Sequence, residues 1–169
     1  MLVADDSAPI RRSTLALLKS LAHVEVLATC ENGRHAVETA LRREPDVVLL
    51  DLQMPVMSGL EAAAIFRDSM PHVGVIMMSM QNRVEVREAC LCGGADAFIA
   101  KDELSEHFSS VLDSVMEATR APERHLRAAR FVTRPLTDLF APARPRRARA
   151  ETLAGTPGRG FAAWDHAHD

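Results

Sequence analysis

Short apolar segments alternate with amphipathic helical patterns along the first 119 residues of the chain. The apolar segments are brief, several are rich in valine, and turn-forming residues flank them. These features are typical of strands that are buried in a parallel sheet. The predicted strands are Leu2–Ala4, Val24–Cys30, Val47–Asp51, Val73–Ser79 and Ala97–Ala100.

Between the predicted strands, apolar residues recur at the three- and four-residue spacing of one helical face. Ser7 and Pro9 suit the N-cap and the first turn of the first helix. The apolar stripes of the five predicted helices begin near Ile10, Ala36, Leu60, Val84 and Leu104. Five strands alternating with five helices predict an α/β fold, a doubly wound five-stranded parallel sheet with helices on both faces.

Charge divides the 169-residue chain near residue 120. Residues 1–119 contain 10 basic and 18 acidic side chains, whereas residues 120–169 contain 10 arginines and 5 acidic side chains. Prolines interrupt any long helix in the second part, where Glu123–Val132 could form one short helix. We therefore predict one domain over residues 1–119 and a mostly disordered, Arg- and Pro-rich tail over residues 120–169.

Several classes of protein are excluded by the sequence pattern. No apolar run approaches the roughly 18 residues that a membrane-spanning helix needs. The chain does not open with the basic and apolar regions of a secretory signal. Cys30, Cys90 and Cys92 lack the spacing of a zinc site. We expect a cytoplasmic protein that does not contact a membrane.

Polar side chains follow four of the five predicted strands. Asp5 and Asp6 follow the first strand, Asp51 ends the third, Ser79 ends the fourth and Lys101 follows the fifth. Taken singly, each fits a structural role, such as a capping turn or a solvated loop charge. Ligands of doubly wound sheets bind beyond the carboxyl ends of the strands, however, so the joint pattern favours a site.

Three carboxylates at one edge of a sheet repel one another unless a cation neutralises them. Their hard oxygen atoms favour Mg²⁺. A carboxylate beside the metal can then act as a nucleophile that forms an aspartyl phosphate. Lys101 and Ser79 supply a positive charge and a hydrogen-bond donor for the phosphoryl oxygens. The sequence therefore predicts phosphoryl transfer at this edge.

Four segments of the chain resemble the receiver domain of two-component response regulators, and they occur in the order and at the separations of that family. The segments are Val3–Ser7, Pro45–Gly59, Met78–Ser79 and Gly94–Lys101. The resemblance covers roughly residues 1–118. It implies a flavodoxin-like fold with the strand order 2-1-3-4-5.

The resemblance also implies the metal and phosphate ligands. Asp51 matches the phosphoacceptor and contributes to the Mg²⁺ site. Asp5 and Asp6 match the acidic pair that binds the metal, Asp6 directly and Asp5 often through water. The backbone carbonyl of Gln53 matches a further metal ligand, and Lys101 matches the phosphate-binding lysine.

A switch is implied by the same resemblance. Ser79 matches the hydroxyl residue that moves towards the phosphoryl group, and Phe98 matches the aromatic residue that follows it. This movement remodels the surface formed by the fourth helix, the fifth strand and the fifth helix. Phe98 replaces the tyrosine common at its position, and Lys101 is followed by Asp102 instead of proline.

These roles describe a non-enzymatic signalling receiver. Its partners would be a sensor histidine kinase, a downstream protein target and, on phosphorylation, a second copy of the chain. An alternative is a DNA-binding transcriptional regulator with a truncated or atypical output segment, because clustered arginine neutralises nucleic-acid phosphates. A haloacid-dehalogenase-type phosphohydrolase is disfavoured, since Gln53 stands where that class needs an acidic general acid.

Overall fold

A computed structural model describes residues 1–120, so the tail predicted beyond Arg120 lies outside the described residues. The elements are β1 (Leu2–Ala4), α1 (Ala8–Lys19), β2 (Ala28–Cys30), α2 (Gly33–Arg43), β3 (Val47–Asp51), α3 (Gly59–Ser69), β4 (Gly74–Ser79), α4 (Val84–Gly93), β5 (Ala97–Ala100) and α5 (Leu104–Arg120). All strand pairs are parallel and their order is β2-β1-β3-β4-β5. The predicted fold class and strand order are confirmed.

Two strands are shorter than the sequence predicts: β4 begins at Gly74 instead of Val73, and β2 differs by more. The apolar pattern predicts a strand over Val24–Cys30, but β2 contains only Ala28–Cys30. β2 lies at the edge of the sheet, and β1 is its single neighbour. Because β1 has three residues, the ladder between the two strands has three pairs. Val24 and Val26 instead pack, partly buried, against the apolar core.

Two apolar clusters cover the two faces of the sheet. Side chains of α2, α3 and α4 form one cluster, in which Phe66 is fully buried. Side chains of α1 and α5 form the other, in which Leu18 and Phe108 are buried. Along β1, Leu2 belongs to the first cluster and Val3 to the second, because successive strand residues point to opposite faces. The helices therefore bury both faces of the sheet.

No helix within residues 1–120 is long and apolar enough to cross a bilayer.

The start of α1 differs in detail from the prediction. Ser7 occupies the N-cap position and Pro9 lies in the first turn, but the Ser7 side chain makes no capping hydrogen bond. The backbone N–H of Ser7 instead donates to Oδ1 of Asp5 at 2.8 Å. This bond belongs to a turn in which an aspartate side chain accepts from the residue two positions later. It fixes one oxygen of Asp5 just beyond β1.

Gly59, the first residue of α3, lies against the backbone of the third strand. Its N–H donates to the carbonyl of Leu52 at 3.1 Å. A Cβ at this position would overlap the carbonyl oxygen of Asp51. The absence of a side chain at Gly59 therefore allows α3 to pack close to the end of β3.

We expect Gly59→Ala to lower the free energy of unfolding by roughly 2–3 kcal/mol, because the new methyl group displaces backbone in a packed region. Urea unfolding followed by circular dichroism measures the change. Gly93→Ala is the matched control, since its Cβ would meet only the side chain of Leu60. Equal stability of the two variants would contradict the close approach at Gly59.

Candidate functional site

The register of the sheet places Asp5 beside Asp51. Ala4 of β1 is paired with Leu50 of β3, so the next residue on each strand reaches the same level at the carboxyl edge. Asp6 follows in the turn before α1. One carboxylate oxygen from each of the three aspartates lies within 4.8 Å of the other two. The fold thus gathers the three carboxylates that the sequence analysis singled out.

The strand pairing also carries Lys101 towards these carboxylates. Ser79, at the end of β4, pairs with Ala100 of β5, and the N–H of Lys101 donates to the carbonyl of Ser79 at 2.9 Å. The ammonium Nζ of Lys101 lies 2.7 Å from Oδ2 of Asp5 and 2.8 Å from Oδ1 of Asp51. Lys101 is therefore a cation shared by two carboxylates from neighbouring strands.

These ion pairs are almost completely buried. The side chain of Asp5 is 0% exposed, and the side chains of Asp51 and Lys101 are each 7% exposed. Oδ2 of Asp5 lies at ion-pair distance from Nζ of Lys101 and has no second hydrogen-bond partner among residues 1–120. A buried carboxylate oxygen with spare acceptor capacity is costly unless a further cation or water satisfies it.

The titration of the site reflects burial and charge. Burial raises the pKa of Asp51, the hydrogen bond and charge of Lys101 oppose this shift, and the neighbouring charges of Asp5 and Asp6 reinforce it. Burial alone would lower the pKa of Lys101, but its bonds to Asp5 and Asp51 outweigh that effect and raise it. The site thus holds a protonated lysine among more carboxylates than one cation neutralises.

The donor set suits a small divalent cation. It consists of carboxylate oxygens, which are hard ligands of the kind that Mg²⁺ selects. Asp6 is exposed, so the cluster is open to solvent on that side, whereas Asp5 and Asp51 are buried. Gln53, two residues beyond Asp51, is exposed. A metal-ligand role for its carbonyl stays a prediction.

The two residues of the predicted switch lie near this edge of the sheet. Ser79 is 4% exposed, and its Oγ accepts a hydrogen bond from the N–H of Gln81 at 3.1 Å. Phe98 of β5 is buried in the cluster that α2, α3 and α4 form. The guanidinium of Arg87, on α4, lies 5.1 Å from the centre of the Phe98 ring. This cation–π contact connects α4 to the Phe98 ring on β5.

Three contacts at this edge of the sheet have no signature in the sequence pattern. Arg87 donates to Oδ1 of Asn82 at 3.4 Å, and Nδ2 of Asn82 donates to Oε1 of Glu103 at 2.9 Å. The first bond joins α4 to the loop after β4, and the second joins that loop to the loop after β5. Arg11 reaches the backbone of the Asp5–Asp6 turn. Polar side chains on helices and in loops usually indicate a solvated surface, so the sequence pattern alone does not single out the residues that make these contacts.

Val56, in the loop between β3 and α3, has a backbone conformation that is rare for its residue type. Its φ is 69°, and the N–H of Met57 donates to the carbonyl of Pro55 at 2.7 Å across it. A γ-turn with positive φ is strained, above all for a β-branched residue. The Val56 side chain is 74% exposed. The loop that follows Asp51 therefore stores local strain at Val56.

Comparisons with known proteins agree with this geometry. The family model of the response regulator receiver domain matches residues 1–113. The transcriptional regulatory protein LnrK of Bacillus subtilis is 33% identical over 102 residues, which are 60% of this chain and 46% of LnrK. A protein-glutamate methylesterase/protein-glutamine glutaminase of Methanococcoides burtonii is 34% identical over 122 residues, 70% of this chain and 34% of that protein. A crystal structure of the CheX–CheY–BeF₃–Mg complex from Borrelia burgdorferi has a TM-score of 0.58 and 26% identity, covering 66% of this chain and 87% of that chain.

Fold and site together define a doubly wound α/β domain with three carboxylates and a lysine at the carboxyl edge of its sheet. The chain belongs to the response regulator receiver domain family of two-component systems. Receiver domains are themselves non-enzymatic, bind Mg²⁺ at an acidic pocket and interact with histidine kinases and downstream effectors. The chain spans about a third to a half of the length of the two curated relatives.

Proposed function

We propose that this chain receives a phosphoryl group from a sensor histidine kinase on Asp51 and uses the modification to switch a protein-interaction surface. The observation that carries the proposal is the placement of Asp51. Its carboxylate lies at the carboxyl edge of the sheet, 2.8 Å from Nζ of Lys101 and within 4.8 Å of the Asp5 and Asp6 carboxylates. A nucleophile, a cation and a candidate metal pocket therefore meet at one point.

The proposed step is an in-line displacement at phosphorus. A carboxylate oxygen of Asp51 forms a bond to phosphorus, while the bond from phosphorus to the imidazole nitrogen of the donor breaks. The bonding electron pair leaves with the imidazole, which takes a proton from solvent. Lys101 loses its Asp51 partner as that carboxylate becomes an acyl phosphate, and its ammonium then neutralises a phosphoryl oxygen. Ser79 donates its hydroxyl hydrogen to another oxygen.

Asp5, Asp6, Asp51 and the carbonyl of Gln53 would hold Mg²⁺ in this proposal. The bound cation would neutralise the negative charge that accumulates on the transferring phosphoryl group. The excess of carboxylates over cations at the site supports this assignment. The similar Borrelia burgdorferi complex contains both Mg²⁺ and BeF₃.

The proposed output surface lies on α4, β5 and α5. Ser79 moving towards the phosphoryl group would change the packing available to Phe98, whose ring is held beneath Arg87. The Asn82–Glu103 hydrogen bond spans the two loops that flank this movement. Displacement of Phe98 would therefore alter α4 and the loop before it, which is the surface that a downstream protein or a second copy would contact.

The proposal is tested by incubating the full chain with acetyl phosphate and Mg²⁺. Intact-mass spectrometry should detect the addition of one phosphoryl group, and removal of Mg²⁺ with EDTA should prevent it. Size-exclusion chromatography of the BeF₃-treated protein shows whether modification leads to dimerisation. A folded chain that acquires no phosphoryl group with Mg²⁺ present would refute the proposed chemistry.

Magnesium should also stabilise the folded chain before any phosphorylation. A ligand at one hundred times its dissociation constant adds about 2.7 kcal/mol to the free energy of unfolding. We expect Asp6→Asn to reduce this gain, because one carboxylate ligand becomes neutral. Thermal unfolding with and without MgCl₂ measures it, and Asp68→Asn, at an exposed carboxylate of α3, is the control. An unchanged magnesium effect in Asp6→Asn would exclude Asp6 as a ligand.

DNA binding is a second candidate output. The ten arginines and five acidic residues of residues 120–169 favour it, and LnrK is a transcriptional regulatory protein. The methylesterase relative shows that receiver domains also occur with enzymatic outputs. We also propose that residues 1–119 form the receiver domain, that residues 120–169 form a separate tail, and that the protein acts in the cytoplasm. A gel-shift assay on duplex DNA over a salt series tests the DNA-binding output, which a lack of binding at low salt would eliminate.

A further inference from the structure

Arg11, on α1, makes several polar contacts around the acidic cluster. It lies in the first turns of α1, and its side chain is only 14% exposed. Nη1 donates to the carbonyl oxygen of Asp5 at 2.6 Å and to that of Asp6 at 3.1 Å. Nη2 lies 3.0 Å from Oε1 of Glu31, in the loop after β2. The neighbouring Arg12 is exposed.

The two carbonyls that Arg11 binds belong to the two peptide planes on either side of the Asp6 Cα. A peptide unit is planar and rigid, so fixing both planes fixes the two backbone dihedrals of Asp6. Those dihedrals set the direction in which the Asp6 side chain leaves the backbone. Arg11 therefore restrains the backbone from which the Asp6 side chain projects.

The other two carboxylates are oriented by different means. Asp5 is held through its side chain, which accepts from the N–H of Ser7 and pairs with Lys101. Asp51 is held by Lys101 as well. The Asp6 carboxylate is exposed, and no hydrogen bond or ion pair with another residue of the described range restrains it. Its orientation depends on its backbone, and hence on Arg11.

We propose that Arg11 is a positioning residue for cation binding, which directs the Asp6 carboxylate towards Asp5 and Asp51 through the two backbone carbonyls of the turn. This inference rests on the proposed Mg²⁺-dependent function and names a further residue on which the site depends. Glu31 offsets the guanidinium charge, so that a fixed positive group can lie near a cation site at little electrostatic cost.

Charge and positioning predict opposite effects when Arg11 is replaced. If the guanidinium acted only as a nearby positive charge, Arg11→Met would remove repulsion and tighten cation binding. If it positions Asp6, the same substitution weakens binding although a positive charge is lost. Contacts that orient a metal ligand typically change metal affinity by 10- to 100-fold. We expect Arg11→Met to weaken binding about tenfold.

The experiment titrates the full chain with Mn²⁺, whose free ion is quantified by electron paramagnetic resonance. Wild type, Arg11→Met and the matched control Arg12→Met are compared, and the control should bind within about twofold of wild type. Phosphorylation by acetyl phosphate is then measured against the Mn²⁺ concentration. Arg11→Met should need about tenfold more Mn²⁺ for its half-maximal rate but reach the wild-type rate at saturation.

Unchanged or tighter Mn²⁺ binding by folded Arg11→Met would overturn the inference. A lower rate at saturating Mn²⁺ would also overturn it, since it would assign Arg11 a role in the chemical step or the fold. If Arg11→Met does not fold, Arg11→Gln is read in the same way, because the shorter amide cannot span both carbonyls. Failure of wild type itself to bind Mn²⁺ would instead refute the proposed function.

Discussion

Asp51→Asn should abolish phosphorylation by acetyl phosphate, with a fall in rate of at least about a hundredfold, because the amide has no anionic oxygen to attack phosphorus. The amide has nearly the same shape as the carboxylate and can still accept a hydrogen bond from Lys101. The site should therefore stay assembled while its nucleophile is lost. Intact-mass spectrometry over a time course, with Mg²⁺ present, measures the rate.

Asp68→Asn is the matched control for this variant, since it changes the same functional group at an exposed position on α3. It should be phosphorylated at the wild-type rate. Labelling of Asp51→Asn at that rate would show that another residue is the phosphoacceptor. Peptide mapping of the labelled protein would then identify that residue.

The same substitution has a consequence for stability that depends on pH. The pKa of Asp51 is raised in the folded chain, chiefly by burial, so the ionised carboxylate destabilises the fold at neutral pH. Asp51→Asn should therefore be more stable than wild type at pH 7 without metal. The difference in stability between Asp51→Asn and wild type should shrink as the pH falls through the raised pKa of Asp51. It should vanish below the usual aspartate pKa, where the carboxyl is protonated in both the folded and the unfolded chain. Saturating Mg²⁺ should also reduce it.

Lys101→Met should produce the largest loss of stability at the site. The ammonium is the cation that Asp5 and Asp51 share, and its removal leaves two buried carboxylates facing each other. Breaking a buried ion pair by removing one partner costs about 3 kcal/mol or more. Urea unfolding at pH 7 without metal measures the loss. The difference should diminish as the pH falls through the raised pKa of Asp51, because one of the two facing carboxylates is then neutral.

Lys101→Met should also slow phosphorylation by about a hundredfold, because a preorganised charge for the phosphoryl oxygens is lost. Mg²⁺ should restore part of the stability by replacing the missing positive charge. Lys19→Met, at an exposed lysine of α1, is the control and should leave both properties unchanged. A Lys101→Met protein as stable as wild type at pH 7 would mean that the lysine does not compensate the two carboxylates.

The local pattern of apolar and polar residues predicts much of the fold. Three strand bounds, those of β1, β3 and β5, coincide with the apolar segments, because a strand buried on both faces must be apolar at every position. The alternation of strands and helices then restricts the topology to doubly wound sheets. The length of β2 was not predictable in this way, because the number of residues that pair depends on the neighbouring strand.

Sequence reasoning located Asp5, Asp6, Asp51 and Lys101 but not the contacts among them. The signal that located them is a charged residue at the end of an apolar segment. Solvation of the strand ends alone does not require several charged residues at one edge of the sheet. Arg11 and Arg12 are indistinguishable in sequence, although one binds the backbone of the acidic turn and the other is exposed. The packing of α1 against the sheet decides which of the two side chains reaches the turn.

The sequence by itself determined the fold class, the family and the identity of the charged residues at the strand ends, because these follow from side-chain periodicity and short motifs. Only the tertiary structure decided that Lys101 bridges Asp5 and Asp51. That contact depends on the register of four strands, β1, β3, β4 and β5, and register is set by the packing of both faces of the sheet. The placement of Arg11 on the carbonyls flanking Asp6 arises from the same packing.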